Sequence, residues 1–471
     1  MKFKKNIPIN ITGPTYLDNS RPLSSQESKN LYQDVVDAGK DNYVLRGWYG
    51  LTLKESVGNI DRGMIQQAEI GYRVSGQKLY SFNRSGIHAE LADIPGTDRC
   101  ILSNDGTNII IVSNTGVYKW NGAISTVTDS NIVGSEAVTF LNSQMIYTKN
   151  KLFTIADPNL PDTASGLNSA AAESKPDDLV ICYAFQQSAY MFGKRSTEPW
   201  WNSGEGNPPM ARIDGQIFEV GCASKYSVAN TDEFIYWLGD DNFIYRATGG
   251  TKEAISSSAI SFAIENYEVK SDAIGQTLTI NGLNFYIITF PSANKTWVLN
   301  EQLGKNGWFN ISSGLNDGKY QATSFLSVYG KVFAADATNG GLYELSSSDL
   351  TNSGESIQRR RVTSSINSGL FGEKGSELQM SKMKIIMQTG NTIIDGQGAD
   401  PQIQFEVSYD GGNSWVNKGW GHTGRLGEFT IQVEMFNLDV FYDCIVRLTT
   451  TDPSTYTLYS ASADLRLTGS Q

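Results

Sequence analysis

Histidine is nearly absent from this chain. His88 and His422 are the 2 in 471 residues, and each stands alone in a Gly/Ser/Thr-rich stretch. A Ser–His–Asp or Cys–His site has room only around one of them, and no GxSxG or Cys/His signature accompanies either. HExxH, a P-loop and a GxGxxG following a strand are missing too. The 4 cysteines, Cys100, Cys182, Cys222 and Cys444, form no CxxC pair. That excludes an ordinary structural zinc site, and the density is too low for a disulfide framework, so reduced, partly buried thiols are expected. No catalytic residue, metal or cofactor is expected.

Long apolar runs are also lacking. No segment approaches the ~18 residues a membrane helix needs, so no membrane insertion is expected. Met1-Lys2-Phe3-Lys4-Lys5 is basic, but residues 6–10 (NIPIN) are not the apolar core of a signal peptide. The chain is therefore expected to be made in a cytoplasm and to be soluble. Basic residues are outnumbered 38 to 49, a net charge of −11, which makes it a poor candidate for gripping a phosphate backbone. Helical periodicity is confined to residues 256–269, where Ile260, Ala263, Ile264 and Tyr267 fall at helical spacing.

What is plentiful is strand and turn chemistry: 46 glycines, 11% aromatics, and short runs of Val, Ile, Tyr, Phe, Trp and Thr between Gly/Asn/Asp turns. In the middle of the chain one element recurs. An apolar strand is followed by a tight turn and then a second strand carrying an aromatic. Tyr72–Val74 precedes Leu79–Phe82, Ile109–Val112 precedes Val117–Trp120, and Met145–Tyr147 precedes Leu152-Phe153. Weaker copies lead to Trp200, Tyr245, Trp297 and Tyr343. The second-strand aromatics Tyr80, Tyr118, Phe153, Trp200, Tyr245, Trp297 and Tyr343 recur every 35–52 residues, near the period of propeller blades. A hairpin cannot bury both faces alone, and radial stacking buries each blade on the next. The reading is all-β: a propeller of five to seven blades over 51–350, then a β-sandwich over 351–471, whose strands alternate in and out after the polar break at 350–354 (LTNSG). The polar first stretch, 1–50, reads as an extended arm that contributes to interfaces.

Three local features stand out. Asn104-Asp105-Gly106 and Asp240-Asp241 read as hairpin turns. Arg359-Arg360-Arg361 is the strongest basic cluster, and a strand would put Arg359 and Arg361 on one face. It is a candidate interface, either a solvated face or a dock for an acidic partner. Ser408–Trp415 (SYDGGNSW) resembles the Asp box of sialidase-like propellers. Asp410 would cap the turn made by Gly411 and Gly412, and Trp415 would pack back across the hairpin, which is a structural role. A carbohydrate-binding or sialidase-like propeller is therefore the alternative reading.

The order of motifs resembles the tail-hub, or nozzle, proteins of short-tailed bacteriophages, also called packaged-DNA stabilisation proteins. Residues 21–32 (RPLSSQESKNLY), 45–51 (LRGWYGL) and 72–80 (YRVSGQKLY) are similar to that family's opening segment, turn and first hairpin. Arg359–Val362, Ser408–Trp415, Gly424-Arg425 and the closing 447–461 stretch resemble its far end; Val440–Cys444 and Thr449–Thr451 depart from the family's Arg- and Trp-rich last strands. The resemblance implies a non-enzymatic structural protein of the virion tail, assembled in the host cytoplasm. It implies a hexameric ring below the portal-adaptor ring that retains packaged DNA and continues the exit channel. Double-stranded DNA would pass through without sequence recognition, and tail fibres, a spike or a plug would attach. The arm would tie propeller to sandwich or one subunit to the next.

Overall fold

The computed structural model describes residues 3–17, 24–36, 42–172, 175, 177–436 and 438–468; Arg21, Pro22 and Leu23 of the opening motif lie outside the described residues. Each repeat of the sequence is the middle of a four-stranded antiparallel sheet. Six such sheets are separate: 61–93, 101–126, 137–171, 179–212, 229–254 and 322–346, the last completed by Gly50–Ser56. A seventh four-strand set, 274–310, is one end of an eleven-stranded sheet. The seven aromatics of the repeat all fall on the third strand of their set. Six are buried, and Trp200 packs edge-on against Phe153 of the preceding blade, ring centroids 5.1 Å apart.

The first strands of the blades surround a common axis, and Ala322–Val328 of the last blade returns beside Asp61–Gln67 of the first. This is a β-propeller. It closes through Gly50–Ser56, which pairs with Gly341–Ser346 of the last blade, so a strand from the start of the chain latches the ring. The helix expected at 256–269 is present as Ser258–Glu265, capped by the Ser257 hydroxyl. Its Ile260 and Ile264 are buried between blades.

The C-terminal region is rich in strands, and two sheets face each other across one core. Leu378, Met383, Ile385, Leu465 and Leu467 come from one, and Ile403, Phe405, Val407, Val446 and Leu448 from the other. Alternation along Glu377–Met387 is broken once, between Met380 and Lys382, by an irregular register that brings both Met380 and Met383 inward.

The first residues differ from the extended arm read from their polarity. Phe3–Ile9 pairs with Thr457–Thr468, Ser25–Lys29 with Arg359–Val362, and Tyr43–Gly47 with both Leu31–Val35 and Thr457–Thr468. They are strands built into the C-terminal sheets. Their polarity is possible because the burial is shared with distant partners. The hairpin 31–47 shows how. Leu31 and Leu45 enter the sandwich core, whereas Tyr32, followed by Trp48 and Tyr49, enters the core between propeller blades. Successive strand residues point to opposite faces, so one hairpin carries a side chain into each unit. Tyr32 stacks on Tyr49 at 5.7 Å and meets Phe285 edge-on at 5.6 Å; Trp48 meets Phe285 edge-on at 5.3 Å. Pairs of this kind add ~0.5–1.5 kcal/mol each beyond the area they bury.

Candidate functional site: the junction of propeller and sandwich

Ser25–Lys29 lies between the outer strand of blade 274–310 and the strand Arg359–Val362, making the eleven-stranded sheet continuous across both units. Arg359–Val362 in turn pairs with Asp443–Thr450. The arginine triplet thus sits on a central strand, not on a free surface. This corrects the expectation of a solvated face or a dock for a neighbour. Arg359 and Arg361 do share a face, but it points inward, and they are 2% and 0% exposed. Arg361 donates from Nη1 to the Ser28 hydroxyl at 2.7 Å. Burial pushes both guanidinium groups down to about 10, so both stay charged at neutral pH.

Arg360 points to the other face. It forks onto both oxygens of Glu27, each at 2.9 Å, and reaches Asp317 at 3.0 Å. Lys29, fully buried, donates to Asp317, to the Gln358 side chain and to the Asn316 carbonyl. Burial lowers the Lys29 ammonium, and Asp317 partly restores it. Asn30 finishes the join: its side chain donates to the carbonyls of Ser312 and Gln358. The acidic partner anticipated for the arginines is therefore this chain's own Glu27 and Asp317.

Ser408–Trp415 spans the turn between the paired strands Gln402–Ser408 and Val416–His422. Asp410 accepts from the backbone N–H groups of Asn413 and Ser414 and from the Ser414 hydroxyl, at 3.0, 2.9 and 2.6 Å. These bonds hold its carboxyl well below the usual range. Gly411 and Gly412 have φ of +72° and +95°, which side chains rarely adopt. Trp415 lies under the Arg447 guanidinium at 4.1 Å, and Arg447 is itself forked onto Glu406. The Ser25 hydroxyl donates to the Gly411 carbonyl at 2.6 Å, so the turn is clamped to the N-terminal strand.

Neither histidine stands alone in a loop, as the sequence had suggested. His88 begins the strand His88–Asp93; its Nδ1 lies 2.9 Å from Glu55, on the latching strand, and its ring packs on Tyr80 and Phe82. His422 ends Val416–His422 between Asp400 and Glu428, at 2.5 and 3.1 Å. Asp105 accepts from the N–H groups of Thr107 and Asn108, and Asp241 from that of Phe243, as turn residues do. All four cysteines are free and buried. Among the described residues no group of three His, Cys, Asp or Glu could hold a metal ion, and no helix is long and apolar enough to cross a membrane. Of two adjacent tryptophans, Trp200 packs on Phe153 and Trp201 is 47% exposed.

Sequence reading missed Glu27, Lys29 and Asn30. Their signal was the short polar run ESKN beside a strand, visible only once Arg359–Val362 supplies the other side.

The described residues thus form a β-propeller latched by its own N-terminal strand and joined through a shared sheet to a second β-rich unit. Residues 5–349 match the family described as bacteriophage P22 Gp10, beta-propeller, and the chain belongs to it. It is a family of phage structural proteins. No curated protein matches in sequence. Solved structures that resemble the fold include a streptogramin B lyase, with a TM-score of 0.44 and 11% identity over 64% of this chain and 98% of that one. The Pan2 WD40 domain of Neurospora crassa scores 0.41 at 10% identity over 67% and 98%. BamB from Moraxella catarrhalis scores 0.37 at 11% over 66% and 95%.

Proposed function

We propose that this chain is the nozzle of a short phage tail: a ring-forming structural protein, without catalysis, placed below the portal-adaptor ring. The ring retains packaged DNA, continues its exit channel and carries fibres, a spike or a plug. The observation that supports this reading is the match of residues 5–349 to the phage propeller family. Physical chemistry is compatible with it. A conduit must not grip its cargo, and a net charge of −11 disfavours phosphate binding. A six-membered ring needs heterologous interfaces that close, and the sheet shared by propeller and sandwich gives each subunit one stiff body to present.

The test is electron microscopy of particles made with and without this gene product, with DNA content measured alongside. Particles lacking it should have truncated tails and lose their DNA, and purified protein should restore a ring. Complete, full tails in its absence would refute the nozzle.

A further inference from the structure

Between propeller and sandwich lies a cleft of about 460 Å³. Its propeller wall includes Trp48, Tyr49 and Asn281, and its sandwich wall includes Tyr456, Thr457 and Arg359. Arg359 is the anomaly. Its Nε and Nη1 are buried with no hydrogen-bond partner among the described residues, and the same holds for Nε and Nη2 of Arg361 behind it. A buried guanidinium without a counter-charge is costly, and planar arginine is the side chain best matched to oxyanions. The cleft's own carboxylates have partners other than Arg359: Asp34 is 2.6 Å from Arg46, which also lines the cleft, and Asp349 accepts from the Thr52 hydroxyl at 2.6 Å. The Tyr456 phenol beside Arg359 is kept protonated and neutral by burial, so it offers the guanidinium no counter-charge.

We propose that this cleft binds a small free oxyanion of the inorganic-phosphate type, held by Arg359 and joining the propeller to the sandwich. The anion supplies the missing counter-charge to the Arg359 guanidinium where it lines the cleft, beside Thr457 and Asn281 of the same cleft. Because it touches both units, its binding stabilises their union rather than either alone.

The probe is inorganic phosphate, added to the purified full-length chain and compared with potassium chloride at equal ionic strength. Titration calorimetry should show one saturable site, and the melting temperature should rise with the logarithm of phosphate concentration above Kd. Arg359→Gln should bind at least tenfold more weakly. Ser347→Asp changes an exposed residue of the cleft rim; it should fold normally and bind severalfold more weakly by repulsion. Absence of saturable binding, or wild-type affinity in folded Ser347→Asp and Arg359→Gln, would overturn the proposal. So would stabilisation that grows with protein concentration and ignores phosphate, which would assign the acceptor to a carboxylate of a second copy.

Discussion

Glu27 and Arg360 meet through two parallel bonds of 2.9 Å, with side chains 13% and 15% exposed. Removing one member of a largely buried pair strands the other, at a cost of ~3–5 kcal/mol. Glu27→Ala is expected to lower stability by about 3 kcal/mol, read from the urea midpoint, and Glu27→Gln by less because it keeps an acceptor. An unchanged midpoint in Glu27→Ala would mean that the pair is idle. His88 offers a pH test. Burial lowers its pKa below the usual 6.5 despite the neighbouring Glu55. A base with a depressed folded value stabilises the fold fully above the unfolded pKa, and that contribution fades as pH falls through the folded one. Glu55, held below 4.5 first by the His88 backbone N–H, loses its share lower still. Melting temperature should therefore fall as pH drops below 6.5, and His88→Gln should flatten that slope. At this scale the sequence was half legible. Alternation correctly placed Arg359 with Arg361, but the side they face depends on Glu27 and Tyr456, which lie far away along the chain.

At the scale of elements, the hairpins of the propeller were readable because their second and third strands are buried and carry the aromatics. The outer strands were not. Thr251–Ala254 and Ile124–Thr126 are short and largely exposed, so hydrophobic patterning has nothing to register. The N-terminal strands escaped for a different reason. Lys29 and Asn30 look like surface residues, yet both are 0% exposed because partners near 312–317 and 358 satisfy their polar atoms. A segment read as an extended arm thus contributes strands to the C-terminal sheets. Deleting residues 1–47 removes strands from both C-terminal sheets and Tyr32 from the interblade core. The deletion is expected to leave 351–471 unable to pack, seen as rapid proteolysis of that region, while fragments of 61–346 persist longer. Protease resistance equal to that of the full chain would show the strands to be dispensable.

For the molecule as a whole, the repeat pointed to a propeller in advance, and the resemblance to a tie made by the first residues, but the pairing that makes the junction was invisible. It spans hundreds of residues, a property no local window contains. That pairing has a temporal side. The latching strand Gly50–Ser56 must wait for Gly341–Ser346, and Phe3–Ile9 for Thr457–Thr468. At ~5–20 residues per second on the ribosome, Gly50–Ser56 is made roughly 15–60 s before its partner Gly341–Ser346 is available. Until then, the first-made residues hold an unpaired edge open to any passing strand, including that of a sister chain. In a cell making many copies at once, escaping mispairing is a race between synthesis and encounter. For Phe3–Ile9 the strand Thr457–Thr468 decides it, because among the described residues that is the strand it pairs with.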